Sequence, residues 1–433
     1  MNLKRRLIPL AAGLLTSPAH QRRRRRLAEW RRKLRGRPRE AVFYFRVNDP
    51  YSWLMAQVLP AFAERFGVRI RPRVLLYLDQ RMYPEPELLE ELAIRDAAAL
   101  ARLHGLRFAT NPRRPDPDAS RLATLCLLKH EGDERFWSLA HALATALWDN
   151  DPERLAALVA EHGQQPEDQA LLALEARRDQ FIRDGHYLTA TLHYQGEWYW
   201  SIERLDHLAH WLAQAQPDGG DWPLDYAAAK QARLDGPPAP PGSRLELFFS
   251  FRSPYSYLAL QRTYELADHY GVDLVLRPVL PMVMRGLAVP PAKRLYIFTD
   301  TAREAHLYGV PFGRACDPLG PGVERCMALW PFAEKEGRLR EWLLAAATGI
   351  WSQGVDVASE RGLRRVVEDA GLDWGRARRW LGDDQWRHMA EANRAEMVAA
   401  GNWGVPALRV NGATMIWGQD RFALVEQALQ TGH

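Results

Sequence analysis

The chain has 433 residues, of which 47% are hydrophobic and 10% aromatic. This suits two or three packed domains and excludes a disordered or low-complexity protein. The net charge of +5 is unevenly spread: residues 1–40 carry about +12 (14 basic less 2 acidic), leaving about −7 (5 − 12) for the rest, so the folded body is not a polycation.

The basic residues form an N-terminal arm, residues 1–40. Lys4-Arg5-Arg6 followed by Leu7 superficially resembles a secretory leader. Pro9 interrupts the apolar run, and residues 22–26, all arginine, oppose translocation, so no leader is expected. Leu27, Trp30 and Leu34 follow at helical spacing. A basic amphipathic helix of this kind suits an anionic membrane surface or nucleic acid as partner. A solvated helix lying on the first domain fits the pattern equally well.

Residues 41–46 read as a strand, 50–66 as a helix closed by Gly67, and 68–76 as a second strand, a βαβ unit. Helical spacing then dominates residues 85–183. Short strands at 191–194 and 198–200, joined by Gln195-Gly196, and a helix at 205–212 close a first domain, 41–215. Residues 216–243, rich in Pro and Gly, read as a linker. The same order returns in a second domain, 244–433. It has a strand at 245–251, a helix at 254–270 closed by Gly271, a strand at 272–280 and helical residues 291–398. Strands at 407–410 and 414–417 around Asn411-Gly412 follow, then a helix near 421–430. Asp49-Pro50-Tyr51-Ser52 and Ser253-Pro254-Tyr255-Ser256 sit at a constant offset (253 − 49 = 204), and Gly67 and Gly271 keep it. A period this long predicts a duplicated domain rather than a solenoid. The expected class is α/β: two tandem thioredoxin-like folds, each with a helical insertion.

The two copies differ where the first helix begins. Ser253 and Asp49 both suit an N-cap, and Pro suits the first helical position, so capping explains either residue. A helix start also stabilises anions. A neutral hydroxyl there can donate to a sulfur anion, whereas an ionised carboxylate cannot and repels it. No cysteine lies at either helix start, so the thiolate would come from a bound molecule.

Phe251-x-Ser253-Pro254-Tyr255-Ser256-Tyr257-Leu258 after a strand resembles the 2-hydroxychromene-2-carboxylate isomerases and kappa-class glutathione transferases, of the DsbA-like thioredoxin branch. The resemblance continues through Pro291-Ala292-Lys293-Arg294, Tyr308-Gly309-Val310-Pro311-Phe312, Gly401-Asn402-Trp403-Gly404-Val405-Pro406 and Trp417-Gly418-Gln419-Asp420-Arg421. It implies glutathione as cofactor and Ser253 as the catalytic donor to its sulfur. Val405 and Pro406 would meet the cysteinyl part at a cis-proline, and Gln419 and Asp420 the γ-glutamyl end. Lys293 would lie near the glycyl carboxylate, although an ordinary surface lysine fits the sequence as well. The implied activity is isomerisation or transfer on a small aromatic or conjugated electrophile. The family's Asn ahead of the Pro-Ala-Lys stretch is missing from residues 285–290.

In the first copy, Asp49 replaces the Ser, Thr189-Ala190 replaces Val405-Pro406, and Ser201-Ile202-Glu203-Arg204 replaces the Gly-Gln-Asp-Arg stretch. The resemblance therefore implies a non-catalytic copy, tethered as an intramolecular pseudo-dimer partner. The other reading is a non-enzymatic scaffold that docks through its arm. The three cysteines form no Cys-x-x-Cys, so dithiol exchange is not expected. Free buried thiols and a reducing, cytoplasmic compartment are. His104, His306 and His388 lack ligand spacing, so no metal site is expected. Arg303 and His306 read as a surface helix pair.

Overall fold

The computed structural model describes residues 3–78, 83, 85–214 and 227–432. It contains two four-stranded sheets with the same order and sense. In the first half β1 (Glu40–Phe45) pairs in parallel with β2 (Arg69–Val74) and antiparallel with β3 (Thr191–Tyr194), which pairs with β4 (Glu197–Trp200). In the second half β5 (Arg244–Phe249) pairs in parallel with β6 (Asp273–Pro278). It pairs antiparallel with β7 (Ala407–Val410), which pairs with β8 (Ile416–Trp417). The registers correspond as well: Glu40 faces Arg69, and Arg244 faces Asp273.

The helix Pro50–Phe66 and its counterpart Pro254–Tyr270 join the parallel strands. Each ends on a glycine in the left-handed region, Gly67 at φ 56° and Gly271 at φ 65°, which a side chain would strain. Among the described residues, five α-helices from Pro86–His104 to Glu167–Arg183 separate β2 from β3. Helical segments from Pro291–Leu307 to Gln385–Ala399 separate β6 from β7.

Alternation explains how each sheet is covered. Along β1, Ala41, Phe43 and Phe45 enter the core, while Tyr44 stacks 4.3 Å from Phe181 on the other face. Along β5, Leu245, Leu247 and Phe249 enter the main core and Phe248 packs with Val279, Met397, Ala407 and Met415. Strand β5 is therefore buried on both faces from Leu245 to Phe249, with Glu246 the charged residue among its apolar neighbours.

Several hydrogen bonds occur in both halves at matching positions. Tyr51 Oη donates to Asp96 Oδ2 at 2.6 Å, and Tyr255 Oη to Asp300 Oδ2 at 2.8 Å. Arg46 N–H donates to Ser52 Oγ, and Ser250 N–H to Ser256 Oγ. Trp148 Nε1 donates to the Val47 carbonyl, and Trp351 Nε1 to that of Phe251. These are the joints between the first strand, the first helix and the insertion.

Contacts divide the chain into two units that depart from the expected boundaries. Residues up to Arg24 group with the C-terminal half, and residues 290–296 with the first half. The arm is two helices, Leu3–Thr16 and Pro18–Leu34, and it is not one detached segment. In the first unit Arg25 forks onto the Glu197 carboxylate at 2.9 and 2.7 Å, and Tyr194 Oη donates to Glu29 at 2.6 Å. Part of the expected linker, residues 216–226, lies outside the described residues. Residues 227–243 are strapped down. Lys230, fully buried, bonds Asp206 at 3.0 Å in the first unit. In the C-terminal unit the Glu426 carboxylate accepts the N–H groups of Arg233 and Leu234 at 2.8 and 2.7 Å.

Phe249 is buried and meets Phe251 edge-to-face at 5.2 Å. Phe249→Ala should destabilise the C-terminal unit by about 3–5 kcal/mol, read as a shifted denaturation midpoint.

Candidate functional site

The backbone at Ser253 (φ −93°, ψ 112°) matches that at Asp49 (φ −103°, ψ 117°), so both residues cap their helices in one geometry. What they bond across the loop differs. Ser253 Oγ accepts from the Ser256 N–H at 3.1 Å and donates to the Val405 carbonyl at 3.2 Å. The Val405-Pro406 bond is cis. Val405 is half-buried, and its N–H donates to no group among the described residues. Ser253, Val405 and Pro406 are thus together at the start of the helix. Gly404 backs onto an indole: a Cβ there would stand 2.9 Å from Trp417 Nε1.

Asp49 makes the opposite arrangement. Its Oδ1 accepts from the Tyr51 N–H at 3.3 Å. Its Oδ2 accepts from Ser52 Oγ and Thr189 Oγ1, both at 2.7 Å. Thr189 occupies the position of Val405, so the carboxylate is bonded to the loop that precedes β3. The residue at the Pro406 position, Ala190, stands at φ 56°, and the bond before it is not cis. Side chain rather than main chain closes this loop.

Gln419 and Asp420 are buried, and both already bond to protein. Gln419 Nε2 donates to Glu304 Oε2 at 3.1 Å, and Arg262 donates to the Gln419 carbonyl and Oε1 at 2.6 and 3.1 Å. The Arg262 guanidinium lies between Tyr308 and Phe422, 3.9 and 4.1 Å from their ring centroids. Asp420 Oδ1 lies 3.3 Å from Arg421. Gln419 is thus held as a positioned amide, and Asp420 as a carboxylate partly compensated by its neighbour.

Lys293 does not lie in the same contact unit as the other five residues; it belongs to the unit of the first half. It is buried there, with Nζ 5.4 Å from the Tyr187 ring centroid, so it is not an ordinary surface lysine. In that unit Tyr296 also meets the His186 ring edge-on at 4.4 Å. Burial pulls the Lys293 ammonium down to about 8.

Sequence reasoning missed the acids behind the site. Asp300 and Glu304 are fully buried on the helix Pro291–Leu307. Asp300 accepts from Tyr255 and pairs with Arg303 at 2.7 Å, and Tyr308 Oη donates to Glu304 at 2.8 Å. Arg303, expected at the surface, is buried by this pairing. The repeat held the signal, since Tyr51 and Asp96 recur as Tyr255 and Asp300 at the same offset.

All three cysteines are free and buried. Burial raises the thiol of Cys126 to about 11 and that of Cys326 further, so neither is a thiolate at neutral pH. An open groove of about 670 Å³ lies at the far end of β5 from Ser253, between Arg244, Glu246, Arg277, Glu396 and Arg409. Burial alone would raise the Glu246 carboxyl. The guanidiniums of Arg409 and Arg277, each bonded to it at 2.5 Å, outweigh burial and hold it below the usual range.

Thr189→Val removes one donor to a buried carboxylate and should cost about 1–3 kcal/mol in urea unfolding of the first unit. Lys293 is depressed on folding, so its burial penalty applies in full below about pH 8 and is relieved as pH rises toward the ordinary 10.5. Wild-type stability should therefore climb across that window in denaturation curves, relative to Lys293→Met.

Residues 244–430 match the family model of the DSBA-like thioredoxin domain. The chain is 25% identical over 193 residues to 2-hydroxychromene-2-carboxylate isomerase of Pseudomonas putida, covering 43% of this chain and 93% of that protein. It is 27% identical over 209 residues to glutathione S-transferase kappa 1 of Rattus norvegicus, covering 43% and 90%. A solved structure of 2-hydroxychromene-2-carboxylate isomerase matches at 24% identity and a TM-score of 0.37, covering 43% of this chain and 93% of that one. With the strand order and the cis-proline loop already described, the match makes the C-terminal half of the chain a DsbA-like thioredoxin domain.

Proposed function

We propose that the C-terminal half is a glutathione-dependent isomerase or transferase acting on a small aromatic or conjugated electrophile. We read residues 41–215 as a duplicated copy that has lost the site. The observation that carries the reading is the pair of donors at the first helix, the Ser253 hydroxyl and the Val405 N–H, beside a cis-proline. The relatives' names, an isomerase and a glutathione transferase, supply the reaction class.

These residues suit the cofactor. An open main-chain N–H beside Val405 suits pairing with a peptide-like ligand, and a hydroxyl at a helix start suits a thiolate. Bound glutathione would supply a nucleophilic sulfur that adds to the conjugated system, permits rotation about the resulting single bond, and leaves again. The protein's part is to turn the Ser253 proton from the Val405 carbonyl toward the sulfur while the Ser256 N–H holds the oxygen in place. The helix Pro254–Tyr270 adds its N-terminal field. Asp420 suits the ammonium of the γ-glutamyl group, and Gln419, clamped by Arg262 and Glu304, sets the floor beside it.

The duplicated copy lacks each of these. Asp49 offers an acceptor where Ser253 offers a donor, and Thr189 already occupies that acceptor. Its retention fits a structural role beside a catalytic partner.

Titration calorimetry with glutathione, and turnover of 2-hydroxychromene-2-carboxylate or a halodinitrobenzene, test the assignment. Ser253→Ala should lower turnover by about tenfold to a hundredfold, the worth of one charge-assisted hydrogen bond. Ser253→Asp should abolish glutathione binding at a pH where the thiol ionises, and Asp49→Ser should leave activity unchanged. Wild-type protein that binds no glutathione, or binding indifferent to Ser253→Asp, would overturn the proposal.

A further inference from the structure

The helix Leu3–Thr16 is turned inside out. Its small residues face the C-terminal unit: Pro9 and Thr16 are buried. The fit is close. A Cβ on Gly13 would stand 3.1 Å from Arg314 Cγ, one on Gly354 2.7 Å from Pro9 Cβ, and one on Gly313 2.4 Å from Thr16 Oγ1. The large residues point outward: Leu7, Ile8, Leu10 and Leu14 are 54%, 56%, 52% and 65% exposed. With Leu15 they cover an arc of roughly 160° at the helical repeat. A helix seated on a water-soluble body normally buries such an arc.

Charge adjoins this face. Arg22, Arg23 and Arg24 follow in the same unit, exposed and paired with no carboxylate among the described residues. The chain beyond residue 40 carries about −7 by count, so attraction to an anionic surface must come from the arm. The first unit repeats the pattern. Arg25 and Glu29 make the inward contacts there, and Leu27, Trp30 and Leu34 are left 42%, 59% and 71% exposed.

We propose that the outward face of the helix Leu3–Thr16, with Arg22 to Arg24, docks the protein on an anionic lipid bilayer. An aliphatic arc gains by entering acyl chains while the guanidiniums pair with headgroups. Nucleic acid would use the arginines but leave the leucines in water, since its phosphates and base edges call for polar donors. A second copy would bring one cationic arm against another. At 14 residues the helix is too short to span, so it lies in the interface.

Flotation of the full chain with phosphatidylcholine vesicles, alone or with about one-third phosphatidylglycerol, tests this. Wild type should float with the anionic vesicles, less well as salt rises, and poorly with neutral ones. L7Q/L10Q/L14Q should weaken binding on the order of a hundredfold or more while circular dichroism stays unchanged. R22Q/R23Q/R24Q should also weaken it on the order of a hundredfold. Three results would overturn the proposal. One is wild type that stays with the pellet. Another is self-association lost in the leucine variant without vesicle binding. The third is duplex DNA binding that survives the leucine changes and is lost with the arginines.

Discussion

One hydrogen bond ties the start of the first helix to the loop before the third strand, and it points in opposite directions in the two halves. In the C-terminal half the helix-start side chain donates, Ser253 Oγ to the Val405 carbonyl. In the first half it accepts, Asp49 Oδ2 from Thr189 Oγ1. Both arrangements hold the same two elements together, so the fold tolerates either. In the first half the Asp49 carboxylate is buried and already accepts from Tyr51, Ser52 and Thr189, so it is costly to disturb.

Behind the helix start lies a layer of buried acids. Asp300 fixes Tyr255 and Arg303, and Glu304 fixes Tyr308 and Gln419. Buried carboxylates persist only when paired, and each here has such partners. Their effect on the site is indirect: they set the rotamer of Gln419 and the seat of Arg262. Because Tyr51 and Asp96 repeat the first of these joints, that joint belongs to the scaffold, whereas the position of Gln419 is held in the first half by Ile202, which carries no amide to clamp.

The strands and first helices were legible because their signals are local and strong. Asp-Pro and Ser-Pro mark helix starts, and Gly67 and Gly271 mark their ends. The insertions were legible only as helical stretches, since their boundaries depend on packing between segments. The hairpin at Asn411-Gly412 appeared as expected, with Asn411 and Gly412 both at positive φ. The carried-over residues were legible as positions but not as states. Nothing local to Gln419 reveals a partner more than a hundred residues away at Glu304. Lys293 read as an exposed lysine or a ligand contact, yet it is buried, with Nζ beside the Tyr187 ring of its own unit.

By itself the sequence determined the motif shared at a constant offset, the order of elements in each half and the Asp49 that stands where the second half has Ser253, because these are written in residue type and spacing. Tertiary structure alone decided that Thr189 bonds Asp49, that the acids of the helix Pro291–Leu307 are buried, and that the arm seats its small residues and exposes its leucines. Those outcomes depend on side chains far apart in the chain competing for the same partners and the same surface, which no local pattern encodes.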